Sequence, residues 1–405
     1  MKVLYFHQHF STPQGATGTR SYEMAGALIK AGHEVTMVCG SYGGGKTGLT
    51  NSFEKGLRSG VVDDINVIEF ELPYSNHDGF LKRTGVFLKF ALKSIKVSLT
   101  HEYDLVFATS TPLTAGIPGI FARWLRGKRF VFEVRDLWPE LPREMGVIKN
   151  PVILWMMSVL EWASYRSAHA CVGLSPGIVE GIKKRGVNNN KITMIPNGCD
   201  LDLFSTKDIK PRRPDGVEDS DLLAVFTGTH GLANGVDAAL NAAVELLKRN
   251  RTDIKFCFIG QGKEKASLVK RAKDDNLHNC IFLDSVPKTE LVSYLKGADI
   301  GLQMLRNIPV FYYGTSPNKF FDYIAVGLPV LNNYPGWLAD MIEKNNTGFA
   351  IPPDDITSYV DALEYAADNR DKLVEMGIKS KKLANQFDRE KLSEDFVHWI
   401  EKTTK

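Results

Sequence analysis

Short apolar runs alternate with longer amphipathic stretches along the first half of the chain. Such alternation is typical of parallel βαβ units, in which buried strands are connected by helices. The predicted strands of this half are Val3–Phe6, Glu34–Val38, Asn66–Phe70, Leu105–Ala108, Phe130–Val134, Ala170–Leu174 and Thr193–Ile195.

A second series of the same kind begins after a segment that is rich in proline and charge. Because such residues favour an exposed connection, residues 204–220 are predicted to link two domains. The expected organisation is an N-terminal domain over residues 1–203, a C-terminal domain over 221–387, and a terminal helix over 388–405. The predicted strands of the second domain are Leu222–Phe226, Ile254–Ile259, Ile281–Leu283, Ile300–Met304, Pro329–Asn332 and Gly348–Ile351.

Ligands of open parallel sheets bind at the carboxyl ends of the strands. Two α/β domains of similar size are therefore expected to form a cleft that is lined by those ends. In the first domain, the loop Pro13–Arg20 follows the first strand and precedes a helix predicted over Ser21–Ala31, which Gly32 ends. Gly15 and Thr17 of this loop are candidates for the cleft.

The composition is that of a globular protein, with 405 residues of which 43% are hydrophobic and 24% charged. The five cysteines lie far apart and form no C-x-x-C pair, so we expect small core residues in a reducing compartment. No signal-peptide pattern follows Met1–Phe6, and no apolar run approaches the length of about 18 residues that a membrane span needs. A cytoplasmic location is therefore expected.

Charge is distributed unevenly. The net charge of +3 is the balance of 50 basic and 47 acidic residues, and the excess of basic residues lies in residues 1–200. A basic first half suits an anionic partner such as a membrane surface or a phosphorylated acceptor, although ordinary scatter gives the same sum.

The segment Ser316–Val330 reads as a polar loop, an amphipathic helix, a stop at Gly327 and a buried strand. The unpaired N–H groups and the positive dipole end of such a helix attract a diphosphate. Asp322, inside the helix, is placed to accept hydrogen bonds from ribose hydroxyls. The segment therefore predicts a nucleotide-diphosphate site, and the alternative is an ordinary βαβ helix with a solvated Asp322. The candidate residues are Thr315, Ser316, Pro317, Asn318, Lys319 and Asp322.

Three turns that follow strands of the second domain extend this prediction. Glycine in such a turn allows the backbone to approach a phosphate closely. Taken singly, each turn is more simply explained as structural, but their order ahead of Ser316–Val330 favours a donor site. The candidate residues of these turns are Gly228, Thr229, His230, Asn234, Gly260 and Val286.

A charged cluster follows a predicted strand of the first domain, at Phe132–Glu140. Charged groups at the carboxyl end of a strand are typical of active-site loops. Asp136 is placed to accept a hydrogen bond from an acceptor hydroxyl, and Arg135 to contact a phosphate or the donor sugar. The alternative is a surface ion pair that Arg135 forms with Asp136 or Glu133.

Two patterns resemble metal ligands, but neither is complete. His7 and His9 lack a third ligand at a sensible spacing, and Asp200-Leu201-Asp202 lies in a turn that leads to the linker. We therefore predict no metal site and no metal requirement.

Basic and apolar residues alternate at helical spacing within residues 79–99, from Lys82 to Lys96. This pattern is typical of a helix that lies on an anionic lipid surface. The alternative is a solvated basic face on a helix that packs against the core.

The segment Ser316–Val330, written S-P-N-K-F-F-D-Y-I-A-V-G-L-P-V, resembles the donor-binding signature of the family 4 retaining glycosyltransferases. It is most similar to the bacterial surface-polysaccharide branch with its N-acetylfucosamine-transferase-like enzymes, in which R-D-L-W-P, here Arg135–Pro139, is also characteristic. The resemblance covers nearly the whole chain. It implies the GT-B fold, in which two Rossmann-like, doubly wound parallel-sheet domains face each other and a C-terminal helix packs back on the first domain.

The resemblance also implies roles for single residues. It implies donor contacts from Gly15 and from the candidates in the second domain, and acceptor contacts from Thr17, Arg20, Glu133 and Trp138. The implied catalytic residues are Arg135, Asp136 and Lys319.

Three positions depart from the family pattern. Thr229 and Asn234 stand where arginine and lysine are usual, and Gly314 stands where a glutamate is usual. Because the two usual cations are missing, we predict that Lys319, the start of its helix and His230 neutralise the diphosphate.

These observations predict a retaining glycosyltransferase of bacterial surface-polysaccharide assembly, such as O-antigen or capsule, that needs no cofactor. The resemblance implies a UDP-sugar donor, with an N-acetylated amino sugar as one candidate, and a lipid-diphosphate-linked saccharide acceptor at the inner membrane. No nucleic-acid partner is expected. The alternatives are a nucleotide-sugar epimerase and a non-catalytic nucleotide-sugar-binding protein, whereas an oxidoreductase is disfavoured because no G-x-G-x-x-G opens a helix after the first strand.

Overall fold

The computed structural model describes residues 1–15, 17–75, 78–206 and 208–404, with Phe80 described by its backbone alone. Ala16 of the first glycine loop, Lys207 of the predicted linker and Lys405 of the predicted terminal helix therefore lie outside the described residues, as does the side chain of Phe80.

The described chain contains fourteen strands and sixteen α-helices. The strands are β1 (Lys2–Phe6), β2 (Glu34–Tyr42), β3 (Leu57–Val62), β4 (Ile65–Tyr74), β5 (Leu105–Thr109), β6 (Arg129–Val134), β7 (Ala170–Gly173), β8 (Ile192–Met194), β9 (Leu222–Thr227), β10 (Ile254–Ile259), β11 (Cys280–Leu283), β12 (Ile300–Gln303), β13 (Val330–Asn332) and β14 (Gly348–Ala350). The helices are α1 (Arg20–Lys30), α2 (Phe80–Thr100), α3 (Ile117–Arg126), α4 (Glu140–Glu144), α5 (Pro151–Ser167), α6 (Pro176–Lys184), α7 (Leu201–Ser205), α8 (Asp237–Lys248), α9 (Lys265–Asp274), α10 (Lys288–Gly297), α11 (Val310–Gly314), α12 (Asn318–Val326), α13 (Trp337–Asn345), α14 (Ile356–Asp368), α15 (Arg370–Ala384) and α16 (Arg389–Thr404).

The chain divides into two compact units. The first contains Met1–Pro196, Gly314–Ser316 and the last helix from Glu390 on, and the second contains Asn197–Tyr313 and Pro317–Arg389. The predicted bounds differ, since residues 197–220, including most of the predicted linker, belong to the second unit.

The first unit is built on an eight-stranded sheet of order β3-β4-β2-β1-β5-β6-β7-β8. All neighbouring strands are parallel except the edge pair β3 and β4. Alternate residues of the strands point to opposite faces, so that α2, α3, α5 and α6 cover one face while α1 and α16 cover the other. The ring of Phe396 in α16 meets that of Phe107 edge to face at 5.1 Å.

The second unit is built on a six-stranded parallel sheet of order β11-β10-β9-β12-β13-β14. The chain starts in the middle of this sheet, moves to one edge and then returns to fill the other, which is the doubly wound order. The order reverses between β9 and β12, and the carboxyl ends of these strands are the edge at which such sheets bind nucleotides.

The predicted fold class, two α/β domains with doubly wound parallel sheets, is confirmed. One strand was not predicted. β3 alternates between exposed and half-buried residues at the edge of its sheet, and its sequence, LRSGVV, lacks the apolar run by which the buried strands were recognised.

Tyr323 fixes α12 against the sheet of the second unit. Its hydroxyl oxygen accepts hydrogen bonds from the backbone N–H of Thr227, at 2.9 Å, and from the Thr227 hydroxyl, at 3.2 Å. Its ring lies over Gly301 of β12, where a Cβ atom would come within 2.5 Å of the ring. The helix is therefore held across the two strands at which the strand order reverses.

We expect Tyr323→Phe to lower the free energy of unfolding by about 1–3 kcal/mol, because the buried backbone N–H of Thr227 loses the tyrosine hydroxyl that accepts its hydrogen bond. Thermal unfolding measures the change, with Tyr365→Phe as the control, since the side chain of Tyr365 is 46% exposed. Equal melting temperatures for the two variants would contradict the anchoring role of Tyr323.

Candidate functional site

Two glycine turns meet at the carboxyl ends of β9 and β10. Gly228 and Gly260 have φ angles of 130° and 154°, which favour glycine. A Cβ atom on Gly260 would lie 1.8 Å from the carbonyl oxygen of Gly228, so the two backbones touch. Gly228 and Thr229 are exposed, and the packed turns therefore present backbone to any ligand at this edge.

Lys319 lies beside the first of these turns. Its Nζ donates a hydrogen bond of 2.8 Å to the side-chain oxygen of Asn234 and lies 4.2 Å from the centre of the Phe226 ring. A Cβ atom on Gly228 would lie 3.6 Å from Lys319 Cε, an ordinary van der Waals distance, so the lysine side chain runs directly beside this turn. Burial lowers the pKa of Lys319 to about 7.

The start of α12 has the geometry that the sequence predicted. Pro317 is the N-cap residue, with φ −75° and ψ 127°, and its side chain has no polar atom with which to cap the helix. The positive end of a helix without such a cap is available to an anion. Gly327 ends the helix with φ 90°. Thr315 and Ser316, which precede the helix, are half-buried.

The structure corrects one expectation about charge. His230 is fully buried, with ring contacts to Phe226 and Phe282. Burial and the nearby charge of Lys265 lower the pKa of His230 to about 4. The imidazole is therefore neutral at pH 7 and adds no positive charge, which leaves Lys319 as the cation of the two.

Asp322 is 8% exposed and forms an ion pair with Lys288, whose Nζ lies 3.3 Å from its carboxylate. The same Nζ lies 3.3 Å from the carboxylate of Asp200. Lys288 begins α10 directly after Val286 and Pro287, and sequence reasoning missed it because the partners are far apart along the chain. A ribose that bonds to Asp322 would have to share this carboxylate with Lys288.

A second group of polar side chains lies at the carboxyl ends of β1, β5 and β6 in the first unit. Arg135 Nη1 lies 3.4 Å from His7 Nε2, and the backbone N–H of Arg135 donates to the Ser110 hydroxyl at 2.9 Å. Asp136 accepts a hydrogen bond of 2.8 Å from the Thr111 hydroxyl. Burial raises the pKa of Asp136 above its ordinary value, although Thr111 and Arg135 act in the opposite direction.

Arg20 and Glu133, both predicted to contact an acceptor, instead bind each other inside the first unit. Arg20 donates to Glu133 at 2.8 and 3.0 Å and to the backbone oxygens of Ile195 and Pro196 at 2.8 Å. Glu133 also accepts from the Thr109 hydroxyl at 2.7 Å. Arg20 is 5% exposed and Glu133 is fully buried, so the prediction that they contact an acceptor is corrected. Their ion pair instead holds together the loops that carry other polar groups of this unit.

The other candidates of the first unit lie at its loops. Gly15 is packed so tightly that a Cβ atom would lie 2.2 Å from the Ser11 hydroxyl. Thr17 and Trp138 are half-buried, and Trp138 packs against the core on the face covered by α2. The donor contact of Gly15 and the acceptor contacts of Thr17 and Trp138 stay predictions.

No cluster of three or more histidine, cysteine, aspartate or glutamate side chains that could hold a metal occurs within the described ranges. His9 lies against aromatic rings, stacked on Tyr74 at 4.7 Å. Among the helices of the described chain, none is long and apolar enough to cross a membrane.

Known proteins resemble both halves of the chain. Residues 15–198 match the family model described as "Glycosyl transferase 4-like domain", and residues 209–383 match "Glycosyl transferases group 1". A D-inositol 3-phosphate glycosyltransferase of Nocardia farcinica is 24% identical over 48% of this chain and 44% of its own length. An amylovoran biosynthesis glycosyltransferase of Erwinia amylovora is 29% identical over 30% of each chain. The chain thus spans about half the length, or less, of the curated relatives it matches.

Solved structures share the fold over the whole chain. Sucrose-phosphate synthase of Thermosynechococcus elongatus superposes with a TM-score of 0.75 at 15% identity, covering 99% of this chain and 98% of its own. Anabaena HepE, solved in complex with UDP and glucose, superposes with a TM-score of 0.70 at 15% identity, covering 99% of both chains. Since the two family models together match most of the sequence and the fold agrees, the chain belongs to the family 4 glycosyltransferases with the GT-B fold.

Proposed function

We propose that this protein is a retaining glycosyltransferase that moves a sugar from a UDP-sugar to a lipid-diphosphate-linked saccharide in bacterial surface-polysaccharide assembly. The observation that carries the proposal is the position of Lys319, a half-buried cation beside the exposed backbone of Gly228 and at the start of α12. The matches to glycosyltransferases in both halves of the chain support it, and the amylovoran relative favours polysaccharide assembly.

The donor diphosphate binds, in this proposal, to the first turn of α12 and to Lys319. Unpaired N–H groups, the helix dipole and one ammonium group all favour two negative phosphates at this point. Asp322 binds the ribose by exchanging part of its contact with Lys288. The complex of Anabaena HepE with UDP and glucose supports a UDP-sugar donor, and an N-acetylated amino sugar remains one candidate.

The chemistry is a same-face exchange at the anomeric carbon. The bond from this carbon to the diphosphate oxygen breaks, a bond to the acceptor oxygen forms, and the departing phosphate takes the acceptor proton. The protein then contributes by positioning the acceptor and by stabilising charge on the departing diphosphate. Arg135 and Asp136 orient the acceptor, while Lys319 and α12 supply the positive charge that a metal ion would otherwise give, so we propose that none is required.

The acceptor carries a lipid, and the protein acts at the cytoplasmic face of the inner membrane in this proposal. α2 (Phe80–Thr100), which covers nearly all of the predicted membrane-binding residues 79–99, supports this. Leu81, Leu88 and Leu92 are 84%, 50% and 68% exposed on this helix, and they follow one another at intervals of seven and four residues beside exposed lysines. Such a mixed stripe is typical of a helix at a lipid surface.

The proposal is tested by measuring the thermal shift of the protein with a panel of nucleotide sugars, followed by transfer from the best donor to a synthetic lipid-linked acceptor. We expect UDP-sugars to stabilise the protein and transfer to proceed in the presence of a chelator. Turnover of the donor without acceptor would indicate an epimerase instead. Binding without any turnover would indicate a non-catalytic nucleotide-sugar-binding protein.

We expect Lys319→Ala to raise the donor KM or to lower kcat by at least about tenfold, the scale of a charge-assisted phosphate contact. Steady-state kinetics with varied donor measure the change. The control is Lys344→Ala, which removes an exposed lysine of the same unit. Unchanged kinetics in the Lys319 variant would remove this residue from the donor site.

The pKa of Lys319 predicts how donor affinity depends on pH. Because the free group has a pKa of about 7, the lysine is charged below pH 7, and a bound diphosphate would raise its pKa. Affinity for a UDP-sugar is therefore expected to be greatest near pH 6 and to fall by up to about tenfold per pH unit above pH 7. Titration calorimetry measures this slope, which Lys319→Met should abolish; a flat profile in the unaltered protein would contradict the assignment.

Substitutions of Asp136 distinguish a role in positioning the acceptor from a role as a general base. We expect Asp136→Asn to keep kcat within about tenfold of the unaltered value. The amide oxygen can still accept a hydrogen bond from the hydroxyl of the acceptor substrate, and the departing phosphate takes the proton. Asp136→Ala should lower kcat further, since the alanine side chain has no oxygen that can accept a hydrogen bond from the substrate hydroxyl. A loss of about a hundredfold or more in the Asn variant would show that Asp136 acts as a general base.

A further inference from the structure

α5 turns a stripe of large apolar residues to solvent. Five large apolar residues recur on it at helical spacing, and each is at least 44% exposed. They are Val152 (61%), Trp155 (66%), Met156 (59%), Val159 (44%) and Trp162 (57%). A helix of a globular protein normally buries such a stripe, so the orientation of α5 needs a physical reason.

The opposite side of α5 is buried, and it mixes polar residues with apolar ones such as Met157 and Leu160, which pack against the core. Glu161 is 1% exposed and lies 2.7 Å from Arg185, while Ser164 is fully buried and donates to the backbone oxygen of Leu160. Tyr165, 4% exposed, packs in the core among the residues of β6. These contacts fix the rotation of the helix, because turning it over would expose the tyrosine and break the ion pair of Glu161.

The neighbouring helix α3 extends the apolar surface. Trp124 and Leu125 at its end are 61% and 65% exposed. The indole N–H of Trp124 donates to the Ser167 hydroxyl at 2.8 Å, which joins the end of α3 to the end of α5. We call the exposed apolar side chains of α5, with Trp124 and Leu125, the tryptophan face.

The net charge of the helix layer that carries the tryptophan face indicates which kind of surface binds to it. α2, α3, α5 and α6 lie on one side of the sheet and together contain ten lysines and arginines but only two acidic residues, the buried Glu161 and the exposed Glu180. A basic layer complements an anionic surface. A second copy of this chain would instead bring two basic layers together, which like-charge repulsion disfavours.

We propose that the tryptophan face inserts into the interfacial region of an anionic lipid bilayer, with α5 lying parallel to the membrane plane. Tryptophan prefers the boundary between headgroups and acyl chains, and the basic residues around the face pair with anionic headgroups. The inference deepens the proposed function and rests on it, since a lipid-linked acceptor requires the enzyme at the membrane. It places the main anchor on α5 and α3, outside residues 79–99.

The test is flotation of the full-length protein with vesicles, comparing phosphatidylcholine alone with a mixture that contains about one third phosphatidylglycerol. We expect the protein to float with the anionic vesicles and Trp155→Ser/Trp162→Ser to lower its partition coefficient at least about tenfold. The matched control is Val374→Ser/Ile378→Ser, which removes two apolar side chains of α15 that are 64% and 66% exposed. This control should float as the unaltered protein does.

Three results would overturn the inference: no flotation of the unaltered protein, equal flotation of the tryptophan variant, or a solution dimer that the tryptophan variant dissociates. Both residues are exposed, so the variants should fold, and unchanged thermal unfolding checks this. Transfer to a short, water-soluble acceptor analogue separates the two proposals. Transfer without flotation would refute the membrane anchor alone, whereas flotation without transfer would refute the proposed reaction alone.

Discussion

The proposed donor site depends on where one short helix begins. α12 contains nine residues, too few for a helix to be stable by itself in water. Its position is therefore set by packing, and above all by Tyr323, whose hydroxyl binds the end of β9 and whose ring fills the space above Gly301. This contact places Lys319 beside the glycine turn that follows β9. Without it, neither the helix dipole nor the lysine would have a defined position relative to the backbone of Gly228.

The electrostatics of this site differ from the pattern that the family resemblance implies. Thr229 and Asn234 occupy the positions of the usual cations, and the buried His230 is neutral, so positive charge is concentrated on Lys319 and on the helix itself. Asn234 contributes in another way, since its side-chain oxygen orients Lys319 Nζ. A lysine with a pKa of about 7 is charged for only part of the time in the free protein, and a bound diphosphate would stabilise its charged form. In the proposed site, donor binding and protonation of Lys319 are thus coupled.

The sequence was sufficient for the features that depend on local pattern. Buried parallel strands are apolar runs that end in turns, so nearly all of them were predictable, and the start and stop of α12 follow from Pro317 and Gly327. Contacts between distant residues were not predictable. The ion pair of Arg20 and Glu133 joins residues 113 positions apart, and local sequence cannot show that such groups satisfy each other rather than a ligand.

The rotation of α5 was not predictable for a related reason. Its sequence carries large apolar residues on both sides of the helix, so periodicity alone does not say which side faces the core. Only the ion pair of Glu161 with Arg185 and the burial of Tyr165 decide this. The resulting tryptophan face and the lysines of α2 lie on the same layer of the first unit, so one side of that unit combines apolar and basic groups.

The account depends most directly on where a nucleotide binds. A crystal structure of the protein with a bound UDP-sugar would measure this. The account predicts the diphosphate at the first turn of α12, with a phosphate oxygen about 3 Å from Lys319 Nζ and the ribose beside Asp322. A nucleotide bound elsewhere, or a diphosphate that touches neither Lys319 nor the backbone N–H groups of α12, would contradict it.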